Sequence, residues 1–107
     1  MDFQSISVGQ IENLEQHAKD LFRGAVEIKF TENIGGVGVA HEIRAQIRLT
    51  HKASATVQSL EEALFRRFLH LLVHASQLLE QETLESLRQQ EKAINEQAER
   101  ERWKSVL

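Results

Sequence analysis

Residues 59–79 read SLEEALFRRFLHLLVHASQLL and form the most apolar stretch of the chain. Ser59, followed three residues later by Glu62, has the pattern of a capping box, in which each side chain accepts a hydrogen bond from the other residue's backbone N–H. The stretch therefore predicts a helix that begins at Ser59. On a wheel of about 100° per residue, its apolar side chains cover an arc of roughly 200°, twice the usual width for a surface helix.

That wide arc predicts two packing partners for the helix. A small sheet covers one side only, and large exposed apolar patches are rare on monomeric proteins. The other side needs either the folded-back tail of the chain or a second copy, and we expect a homodimer. The residues expected in the core and in the dimer contact are Leu64, Phe65, Phe68, Leu69, Leu72 and Val73.

The polar strip of the same helix carries Arg66, Arg67, His70 and His74. The two histidines are four residues apart, a spacing that occurs in zinc sites. The usual zinc-hydrolase motif has Glu after the first His, where this chain has Leu71. Two neighbouring arginines also oppose a dication. We therefore expect no metal and no cofactor here, and interpret the histidines as solvated or facing a partner.

Two stretches that precede this helix alternate with a period of two, which predicts half-buried strands. One runs from Val26 to Thr31 and the other from Val37 to Leu49. Gly35-Gly36 between them suits a two-residue hairpin turn. If Ile34 faces Val37, the strands pair apolar with apolar and acid with base, as in Ile28–Ile43, Glu27–Arg44 and Lys29–Glu42.

The first quarter of the chain has helix-like spacing. Ser7 and Gln10 form a second capping pattern, and Gly24 has the character of a residue that follows a helix. These signals predict a helix over residues 8–23, after a loose or edge segment over 1–6. Residues 53–57 are expected to form a short third strand, with coil as the alternative. The expected fold class is α+β, in the order α-β-β-(β)-α, with a small antiparallel sheet packed on helices.

The end of the chain is expected to be a long C-terminal helix. Leu84, Leu87, Ile94 and Ala98 keep a thin apolar stripe, which the polar Glu91 interrupts. The alternative is a break over residues 81–83. We treat residues 1–107 as one domain, in which residues 83–107 form a helical tail that either protrudes or folds back. Trp103 lies off the stripe, where it either docks on a partner chain or belongs to a frayed end.

Composition narrows the function further. The 107 residues include no cysteine, which excludes disulfides, thiolate metal sites and thiol nucleophiles. No apolar run approaches the roughly 18 residues of a membrane span, and the first residues lack the pattern of a signal peptide. We expect a cytoplasmic protein that does not contact a membrane. Aspartate occurs only at positions 2 and 20, and Ser59 is explained as a cap, so we expect no catalysis.

The chain has a net charge of −3, but its middle part, from Arg44 to His74, carries more basic than acidic residues. Arg44 and Arg48 are expected on the outer face of the sheet and Lys52 just beyond it. Arg66 and Arg67 lie on the polar strip of the helix. Together with His70 and His74, these residues are the expected binding surface for a partner or a nucleic acid. Basic side chains contact phosphates, although no aromatic residue lies among them for base stacking.

The expected order of elements, carried by residues Val26 to Leu87, is similar in outline to the YbaB-type nucleoid-associated proteins. Those are small, acidic, dimeric α-β-β-β-α proteins that bind DNA, so the resemblance implies a nucleic-acid-associated dimer. It transfers no site residue, and a shared outline is weak support for function. The main expectation is therefore a non-enzymatic, regulatory protein that acts as a homodimer and binds a protein partner.

Overall fold

In a computed structural model that describes residues 1–106, three strands are followed by two helices. The elements are β1 (Asp2–Asn13), β2 (Leu21–Ile34), β3 (Val37–Thr50), α1 (Val57–Leu79) and α2 (Leu84–Val106). The strands form one antiparallel sheet in the order β1-β2-β3. The α+β class and the long last helix, of 23 residues, are confirmed. The chain divides into two compact units, residues 1–73 and the residues from His74 onward.

The hairpin of β2 and β3 has the predicted register from Ile34–Val37 to Val26–Ala45, and it continues in that register to Leu21–Thr50, beyond the predicted strand. Ile34 faces Val37, and Ile28 faces Ile43. Gly35 and Gly36 have φ values of 60° and 84°, which glycine adopts without steric cost. The backbone N–H of Gly36 also donates to Oδ1 of Asn33 at 3.0 Å. Alternation and turn chemistry are therefore sufficient to define this hairpin.

The helix predicted over residues 8–23 is wrong, because this region forms β1, a turn and the start of β2. Two register shifts interrupt the pairing of β1 with β2, one between Phe3 and Ser5 and one between Gly9 and Glu12. Each bulge adds one residue to a period of two. The apolar residues of β1 are therefore spaced by three, two and three, so the alternation typical of a strand is lost; they are Phe3, Ile6, Val8 and Ile11.

This correction also changes the order of the fold. The third strand is β1 at the start of the chain, and residues 53–56 form a turn and coil that lead into α1 rather than a strand. The observed order is β-β-β-α-α. The outline resemblance to YbaB-type proteins depended on a first helix, which is absent from residues 1–106, so the resemblance no longer supports an argument.

Helix α1 begins two residues before the predicted cap. Thr56 is the N-cap: its Oγ1 accepts from the N–H of Ser59 at 3.1 Å, and its carbonyl accepts from the N–H of Leu60 at 3.1 Å. The hydroxyl of Ser59 instead lies 3.2 Å from Nε2 of His51. The capping function assigned to Ser59 is therefore wrong, because Thr56 occupies the same position relative to a helix that starts earlier.

One face of the sheet packs against α1 and forms the core. Its buried residues are Phe22, Val26, Ile28 and Ile47 from the strands and Leu60, Leu64 and Phe68 from α1. Burying a side chain of this size stabilises a protein by about 1.5–3 kcal/mol. Gly24, which lies inside β2, allows the helix to approach closely, because a Cβ there would lie 2.7 Å from Cδ1 of Leu64. Gly24 is therefore a packing glycine and not the end of a helix.

The second unit contains the end of α1 and the whole of α2. Helix α1 ends at Leu79 and α2 begins at Leu84, so the expectation of an uninterrupted helix is wrong and the alternative, a break over residues 81–83, agrees with the structure. Thr83 and Ser86 form a reciprocal cap: each side-chain oxygen accepts from the other residue's backbone N–H, at 3.0 and 3.1 Å. None of the described residues of α2 is buried, and Trp103 is exposed.

Candidate interaction surfaces

The face of the sheet that is opposite α1, here called the outer face, carries charges of both signs. Arg44 lies opposite Glu27, and Arg48 lies opposite Arg23. Arg23 makes an ion pair with Glu12, and Nζ of Lys29 lies 3.7 Å from Oε1 of Glu27. The outer face is therefore a mosaic of charges rather than a uniformly basic surface.

The basic residues predicted as one surface lie in different places. Arg44 and Arg48 are exposed on the outer face, as expected, and Lys52 is exposed beyond the end of β3. Arg66 and Arg67 are exposed on α1, which packs on the other face of the sheet. The fold therefore separates the sheet arginines from the helix arginines. A surface that includes all five cations is not formed within residues 1–73.

Arg66 also has partners within its own helix. Its Nε lies 2.9 Å from Oε1 of Glu62, four residues earlier, and its guanidinium lies 5.4 Å from the centre of the Phe65 ring. Both Arg66 and Glu62 are well exposed, so the pair contributes little to stability. His70 and His74 are exposed as well. Among residues 1–106, no group of three or more metal-binding side chains lies close enough to hold an ion.

The residues predicted for the core and dimer contact fall into three groups. Leu64 and Phe68 are fully enclosed in the core of the chain itself. Phe65 and Leu69 are half-buried against that core. Leu72 and Val73 remain exposed, with 37% and 54% of their surface accessible. The apolar arc is therefore wider than the sheet can cover. Leu72 and Val73 lie on the side of the helix that also carries Phe65, whereas Leu71, equally exposed at 37%, lies outside that side.

That side of α1 faces β1 across an open groove of about 470 Å³. The groove is lined by Phe3, Ile6 and Val8 from β1 and by Gln58, Glu61, Glu62 and Phe65 from α1. At about 100° per residue, Leu69 and Leu72 lie within about 40° of Phe65 on the helix surface, and Val73 within about 80°. We call these four residues, Phe65, Leu69, Leu72 and Val73, the apolar flank.

Sequence reasoning identified the apolar flank but not the opposite wall of the groove. Phe3 and Ile6 were expected in a loose or edge segment and Val8 in a helix, because the bulges in β1 interrupt the alternation that indicates a strand. One signal was present: residues 3–11, FQSISVGQI, contain no charged side chain. Surface helices normally carry charges on their solvent face, so a neutral stretch of this length favours a strand.

Comparison with known proteins adds nothing to this description, since no protein-family model, curated protein or solved structure matches the chain. Within residues 1–106, no helix is both long and apolar enough to cross a membrane.

Proposed function

We propose that this protein is a non-enzymatic, regulatory interaction protein that acts as a homodimer in the cytoplasm. The observation that carries the proposal is the apolar flank, where exposed Leu72 and Val73 continue the row that half-buried Phe65 and Leu69 begin. Apolar side chains in such a continuous row usually mark a contact between proteins. The same helix is polar on its other flank, at Arg67 and His70, so the two flanks differ in polarity.

The outer face of the sheet is the surface proposed for a protein partner. It is uncovered within residues 1–73, and its charges alternate between basic and acidic positions such as Arg44 and Glu42. Complementary charges on a partner would select register and orientation more than they would add affinity. A homodimer would present two copies of this face, which strengthens binding to a partner that is itself repeated.

The homodimer is tested first by molar mass in solution, measured by light scattering after size exclusion. We expect the mass of two chains at low and at moderate salt, because an apolar contact is insensitive to screening. The double variant Leu72→Asp/Val73→Asp should have the mass of one chain while its far-UV circular dichroism stays unchanged. His70→Asp, an exposed change on the polar side of the same helix, is the matched control. A wild-type protein with the mass of one chain would overturn the proposal.

A nucleic-acid-associated dimer is the second candidate. It is favoured by one observation: Arg48 and Arg23 are neighbours across β3 and β2, and Arg44 lies on the same face four residues along the strand. Cations on one face can contact successive phosphates. The acidic residues Glu12 and Glu27 reduce the net charge of this face, and for that reason the protein-binding function ranks first.

A further inference from the structure

The two outer strands of the sheet are protected differently. Within residues 1–106, the outer edges of β1 and β3 have no strand beside them, and free edges of this kind invite pairing with another chain unless charges, prolines or other devices block it. Strand β3 carries Glu42, Arg44 and Arg48 along its length. Strand β1 carries no charge between Phe3 and Ile11, so about 30 Å of its edge, at 3.3 Å per residue, lacks charges and is interrupted only by the two bulges.

Helix α1 shows the same asymmetry. Its side towards β1 is the apolar flank, and the groove at the foot of that flank is lined by Phe3, Ile6 and Val8. Phe3 is 63% exposed although it lies on the helix-facing side of the sheet. The edge strand β1 and the apolar flank therefore meet at this groove through Phe65, and the groove is also lined by Gln58, Glu61 and Glu62 of α1.

We propose that β1 pairs antiparallel with β1 of a second copy, about a two-fold axis at Ser7. The two sheets join into one of six strands, with both α1 helices on the same face and their apolar flanks covering the joined groove. This assignment rests on the proposed homodimer and names its contact. A stable interface takes roughly 20–30 residues a side; one strand supplies too few, and the flank of α1 supplies the remainder.

A second copy fits this edge because the sequence of β1 is complementary to itself. With Ser7 opposite the partner's Ser7, Ile6 meets the partner's Val8 and Phe3 meets the partner's Ile11. All four apolar residues lie on the helix-facing side, as Ile6 and Val8 pair with Ile28 and Val26 of β2. The bulge near Gln4 of one chain then lies opposite the bulge near Gln10 of the other chain.

Matching apolar with apolar residues also excludes a register that is shifted by one residue. A slip of one residue would place Ile6 opposite Ser7, which lies on the outer face, and would mix the two faces along the whole strand. In the favoured register the pairing ends where Asp2 approaches the partner's Glu12, since two carboxylates face each other there. The neutral stretch from Phe3 to Ile11 and the predicted extent of pairing therefore coincide.

Ser7→Asp tests the contact without disturbing the core. Ser7 is exposed on the outer face, opposite Glu27 of β2, so an added carboxylate stays in solvent but repels Glu27 within the chain, and far-UV circular dichroism checks that the variant keeps its fold. In the dimer the two carboxylates would be attached to Cβ atoms about 4.5–5.5 Å apart, and like charges directly opposite are destabilising. We expect light scattering to give the mass of one chain. Gln46→Asp, the same change on the outer face of β3, should keep the wild-type mass.

The second measurement is the molar mass of a mixture of two variants with complementary charges. Ser7→Asp mixed in equal amounts with Ser7→Lys should recover the mass of two chains, because opposite charges then meet at the axis. Ser7→Cys supplies the third. The chain has no cysteine of its own, and residues directly opposite in an antiparallel pair have Cα atoms about 4.5–5.5 Å apart, within the range that a disulfide spans. Mild oxidation should link Ser7→Cys into dimers and leave Gln46→Cys unlinked.

The outcomes separate the two proposals. A wild-type protein with the mass of one chain overturns the homodimer and the strand pairing together. A wild-type dimer that survives Ser7→Asp, with Ser7→Cys unlinked after oxidation, overturns the pairing of β1 and leaves the homodimer standing. Loss of the dimer in Ser7→Asp with recovery in the mixture supports both.

Discussion

Gly24 in β2 lies directly beneath Leu64 of α1, and a Cβ at position 24 would come within 2.7 Å of Cδ1 of Leu64. Leu64 is fully buried, so any shift of its methyl group must be taken up by the surrounding core. The distance between the sheet and the helix is therefore set at this point by the absence of a side chain.

We expect Gly24→Ala to lower the free energy of unfolding by about 1–3 kcal/mol, the usual cost of overpacking a core. Urea denaturation followed by circular dichroism measures the change. Gly38→Ala is the control, because a Cβ there meets no atom within 4 Å. In a Leu64→Ala background the penalty of Gly24→Ala should shrink, since neighbouring changes are not additive. An equal penalty in both backgrounds would contradict the contact.

The start of α1 gives a prediction that separates two caps. Thr56→Ala removes the oxygen that accepts from the N–H of Ser59, and loss of an N-cap costs about 0.5–2 kcal/mol. Ser59→Ala leaves this hydrogen bond in place and should cost less than Thr56→Ala. Thermal and urea unfolding measure the loss of stability in each of the two variants. A larger loss in Ser59→Ala would restore Ser59 as the cap.

The hairpin turn depends on positive φ at Gly36, which adopts 84°. Gly36→Ala places a Cβ in a left-handed conformation, which costs roughly 1–2 kcal/mol. Gly35→Asn, at a φ of 60°, should be much milder, because Asn is common in such turns. Urea unfolding midpoints compare the two variants. Equal losses would show that the turn residues act by some means other than backbone conformation.

The nucleic-acid alternative predicts that affinity depends on one face of the sheet. Arg44→Ala/Arg48→Ala should weaken binding to a short DNA duplex and reduce the salt slope by about two, because each of the two arginines would neutralise one phosphate. Arg66→Ala/Arg67→Ala should change little, because these residues lie on α1. Fluorescence anisotropy at several salt concentrations measures both. Absence of wild-type binding at about 50 mM salt, where electrostatic binding is strong, would overturn this alternative.

The parts of the fold that follow a regular period were predictable from sequence. Alternation from Val26 to Leu49 and the Gly35-Gly36 turn defined a hairpin whose register is correct at every predicted pair, although β2 begins five residues earlier than expected. Helix α1 was also predicted, with an error of two residues at its start. Strand β1 was not, because the period-based reading of a strand assumes that no residue is inserted, and two bulges break that assumption.

The candidate site divides in the same way. The apolar flank was predictable, since the width of an apolar arc can be measured on the sequence alone. The groove beside it depends on β1 and was therefore missed. Arg44 and Arg66 were grouped because both lie in the basic middle of the sequence, whereas their relative position depends on which face of the sheet the helix covers. Alternation within a strand defines two faces but does not say which one will be covered.

The long hairpin has a consequence for the order in which the chain folds. β2 and β3 are joined by two residues, so their first contacts close a very short loop at little entropic cost. Strand β1 then pairs with β2, to which residues 14–20 connect it, and α1 packs on the completed sheet. Strands that are neighbours in this sheet are also neighbours in the chain, a topology that favours fast folding for a β-rich domain.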